Sequence, residues 1–67
     1  MKYLCKWSKG LGKYLEWEEF QEHDFSYFSD KNGYSEQDRF MIERLRVGDV
    51  LDLSEGGYLF HEIERLS

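Results

Sequence analysis

From Lys2 to Trp7 the chain alternates, with Tyr3, Cys5 and Trp7 on one side and Lys2, Leu4 and Lys6 on the other. This is the period of two of a half-buried strand. Ser8-Lys9-Gly10-Leu11-Gly12 follows with turn-forming residues, and a second extended run is predicted from Lys13 to about Glu19, so the two read as a hairpin. In that pairing Lys2 and Lys6 face Glu16 and Glu18, each opposite-charge pair contributing roughly 0.2 to 1 kcal/mol. Lys13 to Phe28 also satisfies a helical pattern, because Trp17, Phe20, Asp24 and Phe28 fall near one face and Leu, Lys and Glu are good helix formers. The turn upstream and the alternation before it favour the hairpin. Phe25-Ser26-Tyr27-Phe28 reads as a short further strand, and Ser29 to Gly33 as a turn closed by Asn32-Gly33.

The period then changes to that of a helix, predicted from about Ser35 to Val47. Ser35 is a good N-cap, and Asp38 three residues on completes a variant of the capping box. Gly48 supplies a left-handed residue to end the helix, and Arg44 and Arg46 put positive charge on the last turn, where the helix dipole favours it. Spacing at 100° per residue groups Tyr34, Met41, Ile42 and Leu45 as the inward stripe and leaves Phe40 and Val47 nearly opposite. Phe40 is then a contact against a loop or an exposed anchor for a partner. Val50 to Leu53 is a strand, Ser54-Glu55-Gly56-Gly57 a hairpin turn, and Tyr58 to Ile63 the returning strand. The expected fold is α+β, in the order β-β-(β)-α-β-β. A small single-layer antiparallel sheet of four or five strands would carry one helix, residues 35–47, on one face. Residues 1–67 are expected to form a single domain.

Size makes the core demanding, because 67 residues lie near the lower limit for a fold without metal or disulfide staples. An aromatic content of 18% meets that demand, since each large ring buries on the order of 150 to 250 Å2. Cys5 has no second cysteine to pair with, which fits a reducing compartment. There is no secretory leader pattern and no apolar run of bilayer-spanning length. A soluble, cytoplasmic protein is the expectation.

Enzyme chemistry finds little support. Cys5, His23 and His61 are scattered singly, without zinc-ligand spacing. His23 and Asp24 are neighbours, and on a strand neighbours point to opposite faces. Cys5, on the Tyr3/Trp7 side, reads as a small buried hydrophobe. Gly10-Leu11-Gly12 lacks the third glycine and the helix of a dinucleotide loop. A sheet with one helix leaves little room for the cleft that paired glycosidase carboxylates need. No catalytic residues, metal or cofactor are expected.

Charge carries more information. The net charge of −5 opposes direct binding to a nucleic-acid backbone. It is also unevenly placed: residues 1–13 sum to +4, residues 14–38 to −7, residues 39–48 to +2 and the remainder to −4. Concentrated charge makes a field. Within Glu16-Trp17-Glu18-Glu19-Phe20-Gln21-Glu22-His23-Asp24, an extended chain sets Glu16 and Glu18 about 6.6 Å apart. Two nucleotide rises of a B-form strand span about 6.8 Å. A solvated face with Trp17 and Phe20 turned inward is the alternative for this run.

In size, acidity and want of a catalytic constellation the chain resembles, by composition, the small phage-encoded inhibitors of bacterial defence and host nucleic-acid machinery, which include anti-CRISPR proteins and DNA mimics. That resemblance implies a compact α+β domain occupying a basic, nucleic-acid-binding surface of a larger protein or complex. The partner-binding residues it implies are Glu16, Glu18, Glu19, Glu22, Asp24 and Asp30, with Glu36, Phe40 and Glu43 on the helix. The positive first strand departs from a uniformly negative mimic. The expected oligomeric state is a monomer or weak homodimer, and the alternative function is a structural or adaptor protein that self-associates as a homodimer, burying Phe40 and an open sheet edge.

Overall fold

A computed structural model describes residues 1–8, 17–54 and 60–67. Strands β1 (Lys2–Ser8) and β2 (Glu19–Asp24) are followed by two 3-10 turns, Phe25–Tyr27 and Asp30–Asn32. Helix α1 (Glu36–Glu43) and strands β3 (Val50–Asp52) and β4 (Phe60–Arg65) complete the described elements. The strands form one antiparallel sheet in the order β2-β1-β4-β3, with α1 against one face. The fold is therefore α+β.

The alternation in β1 sets the layers. Tyr3 and Cys5 are fully buried, and Ile63 of β4, opposite Cys5, joins them. Ile42 closes this core from the helix, while Phe28 and Tyr34 enter from the segments between β2 and α1. The Phe28 ring meets Tyr3 edge-on at 5.2 Å and Tyr34 edge-on at 5.0 Å, a geometry aromatic quadrupoles favour.

The first hairpin forms with a later second strand than the pattern predicts. β2 is Glu19–Asp24 instead of Lys13–Glu19, so Lys2 faces Asp24 and Lys6 faces Phe20, not Glu16 and Glu18. The register delivers Phe25, Tyr27 and Phe28 to the core beside Tyr3, burial that an earlier pairing would forgo. Glu19–Asp24 being strand also excludes the continuous helix from Lys13 to Phe28; residues 13–16 and the turn at Lys9–Gly12 lie outside the described residues. Phe25–Tyr27 is a 3-10 turn and not a further strand. Strand alternation would send Phe25 and Tyr27 to one side and Phe28 to the other, whereas the turn packs all three rings together.

Ser35 and Asp38 form the reciprocal capping box, each side chain bonded to the other's backbone N–H at 3.0 Å. The helix ends at Glu43, short of Val47, with Arg44 as its C-cap. Asp49 takes over there: its carboxylate accepts from the Arg46 N–H at 3.0 Å, and its own N–H reaches the Arg46 carbonyl at 2.9 Å. Gly48 is left-handed, with φ of 92°, in this turn and not at the helix end. Arg65 from β4 supplies the cation at the helix exit, donating to the Leu45 carbonyl at 2.6 Å. The inward stripe is as expected, with Ile42 fully buried and Met41 and Leu45 partly so. β4 begins at Phe60, and the turn residues Glu55 to Gly57, with Tyr58, lie outside the described residues.

Candidate functional site: the open face of the sheet

Ladder registers divide the side chains between two faces. Tyr3, Cys5, Trp7, His61 and Ile63 share the helix-bearing side with Glu19, Gln21 and His23. On the other side, one row runs Glu22, Leu4, Glu64, Val50 and the next runs Phe20, Lys6, Glu62, Asp52. Lys2 and Asp24 extend the face beyond the first row. No described helix lies over it, and Trp17 approaches its centre, with the ring 6.0 Å from Lys6 Nζ.

Among the described residues this open face holds five acids, Glu22, Asp24, Asp52, Glu62 and Glu64, against Lys2 and Lys6. Lys2 pairs with Asp24 at 3.4 Å and Lys6 with Glu64 at 3.7 Å. Among the described residues no cation makes an ion pair with Glu22 or Glu62. Glu62 and Glu64 stand about 6.6 to 6.8 Å apart along β4, two strand rises, and Glu22 lies about 9.6 Å from Glu64, two strand spacings. Phe20 and Val50 are half exposed between the acids. Carboxylates in rows with apolar side chains between them suit a surface that bears cations at regular spacing.

The sequence-predicted set is dispersed. Glu16 lies outside the described residues. Glu18 is exposed just before β2, its N–H on the Trp7 carbonyl at 2.9 Å. Glu19 points to the helix side and accepts from Gln21 at 2.9 Å. Glu22 and Asp24 stand at ladder positions of the open face. Asp30 is in the second 3-10 turn, held by Arg39 at 3.2 Å, while Glu36 and Glu43 occupy the first and last turns of α1. Phe40 is exposed, with the Arg44 guanidinium 5.2 Å from its ring centre. Glu62, Glu64 and Asp52 are the residues that reasoning from the acidic run misses. Their signal is the alternation of Phe60, Glu62 and Glu64 with His61, Ile63 and Arg65.

The other polar constellation is inside. His61 is buried, stacked on Trp7 at 4.7 Å between near-parallel rings. Its Nδ1 lies 2.9 Å from the Lys6 carbonyl, which only accepts, so Nδ1 carries the proton. Nε2 then accepts from the Tyr34 hydroxyl at 2.8 Å. Burial holds the imidazole below its ordinary pKa and pushes the Tyr34 phenol up. Burial also pushes the Cys5 thiol up to about 12, the opposite of what a nucleophile needs. His23 stacks on Tyr27 at 3.6 Å and donates to Gln21 at 2.7 Å, on the face away from Asp24. These contacts commit both ring nitrogens of His61 and the Nε2 of His23. Among the described residues no three His, Cys, Asp or Glu side chains gather to hold a metal, and none of the described helices is long and apolar enough to cross a membrane.

The chain matches no known protein-family model, no curated protein and no solved structure.

Proposed function

We propose that this is a small acidic, non-enzymatic binding protein that inhibits a larger nucleic-acid-binding protein or complex by occupying its basic surface. The observation that carries this reading is the open face, where five acids stand against two lysines around exposed Phe20 and Val50. Acids on such a face attract a basic surface from a distance and set its register, while the apolar residues supply contact area. The chain's own net charge of −5 turns nucleic acid itself away. This is the mode of the small phage-encoded inhibitors that the composition resembles, anti-CRISPR proteins among them, at work in the cytoplasm of a bacterial host.

The test is affinity capture of the tagged protein from a bacterial lysate at rising salt, beside the double variant Glu22→Lys/Glu62→Lys. The expected result is a nucleic-acid-binding partner that elutes as salt rises, competes with DNA or RNA and is lost with the double variant. A partner that binds no nucleic acid, or equal capture by the variant, would overturn the reading. Self-association through Phe40 and a sheet edge is the alternative, and light scattering after size exclusion decides it: a dimer at micromolar concentration favours it, and a monomer counts against it.

A further inference from the structure

Among the described residues β2 is bonded to β1 on one side only and forms an edge of the sheet. An edge strand presents main-chain donors and acceptors with no partner, a template for one more strand. The opposite edge, β3, is blunted by its length of three residues, whereas β2 runs for six in continuous register with β1. Common means of guarding an edge, a proline or a lysine, are absent from β2, whose sequence is Glu-Phe-Gln-Glu-His-Asp.

The charge on β2 selects the occupant. A second copy pairing antiparallel about the middle of the strand would set Glu19 opposite Asp24 and bring three acids from each chain to one seam. Like charges directly opposite destabilise such a pair. We propose that β2 takes an extended, lysine- or arginine-bearing segment of the partner protein as a fifth strand of the sheet. The inference rests on the reading of the partner as basic and adds how it is held. The added strand places alternate side chains beside Phe20, Glu22 and Asp24 on the open face, so the segment carries cations two residues apart and an apolar residue next to them. Main-chain bonds supply the docking and the acids supply the choice of segment.

The native protein tests this with a short synthetic peptide of alternating lysine and valine and with the same peptide N-methylated throughout its backbone. Amide hydrogen exchange is followed by NMR. With the first peptide, outward-facing amides within Phe20–Asp24 should slow by about tenfold or more at saturation, and the N-methylated peptide should neither bind there nor protect them. Absence of binding, equal binding of both peptides, or binding without protection in β2 would overturn the inference. The Glu22→Lys/Glu62→Lys capture result is read separately: if the variant loses capture while β2 stays unprotected, the acidic face stands and the added strand falls.

Discussion

Acidification should weaken the fold through His61 before the carboxylates titrate. The ring is buried between Trp7 and Tyr34, with both nitrogens committed, and its folded-state pKa lies below the ordinary imidazole value of 6.5. As pH falls, the unfolded chain therefore takes up the proton first. The stability contributed by the neutral ring is intact above about pH 6.5 and is lost as pH drops from there through the folded-state value. One proton limits the slope to about 1.4 kcal/mol per pH unit. Between about pH 7.5 and pH 5.5 the loss is up to about 1.4 kcal/mol, reached in full if the folded-state value lies well below the window. A domain of this size loses about 4 to 8 °C of Tm per kcal/mol, so the expected fall is roughly 5 to 10 °C. Thermal melts followed by circular dichroism, on the native protein and on His61→Gln, measure it. His23 and the carboxylates are common to both proteins and cancel in the difference, leaving the variant with the flatter profile. Equal pH profiles would refute the assignment of His61 as a buried neutral base.

Other expectations are more local. Cys5, with its thiol raised to about 12, should resist a disulfide reagent in the native protein at about pH 8 and react promptly once denaturant exposes it; fast native reaction would contradict its burial. Ser35→Ala removes one half of the capping box and should cost about 0.5 to 2 kcal/mol in denaturant unfolding. Ile42→Ala empties the only fully buried side chain among the described helix residues and should cost about 2 to 5 kcal/mol, enough to leave a domain of this size marginal. A loss below about 1 kcal/mol there would mean that the helix contributes little to the core.

What the chain discloses by itself depends on whether the signal is local. The alternation of Tyr3, Cys5 and Trp7 and the Ser35/Asp38 cap are local, and both appear in the fold as the pattern implies. Register and helix length are not. The start of β2 at Glu19 depends on burying Phe28 against Tyr3, and the end of α1 at Glu43 depends on the Asp49 turn and on Arg65, a cation from the far end of the chain. The candidate surface shows the same division. Counting acids along residues 16–24 finds Glu22 and Asp24, but strand pairing brings Glu62 and Glu64 beside them from forty residues further on.

The basic first strand, which sits badly with a negative mimic when read along the chain, makes physical sense in the sheet. β1 lies between β2 and β4, both of which put acids on the open face, and Leu4 has Glu22 on one side and Glu64 on the other. Without cations there, the sheet would gather like charges on a single face, and the repulsion would oppose folding. Lys2 and Lys6 relieve it at Asp24 and Glu64; the first pair is exposed and worth about 0 to 1 kcal/mol, and the second is partly buried. Two kinds of acid result. Asp24 and Glu64 are engaged with the lysines of β1, whereas Glu22 and Glu62 make no ion pair among the described residues. Substituting Glu64 would disturb the fold and the surface together. Reversing Glu22 and Glu62, two charge units each, takes the face from a net −3 to +1 while leaving both lysine pairs in place. If binding follows the field of this face, that double variant should lose its partner while its stability shifts by no more than about 1 kcal/mol, because Glu22 is exposed and half-buried Glu62 stands opposite Asp52 as well as Lys6.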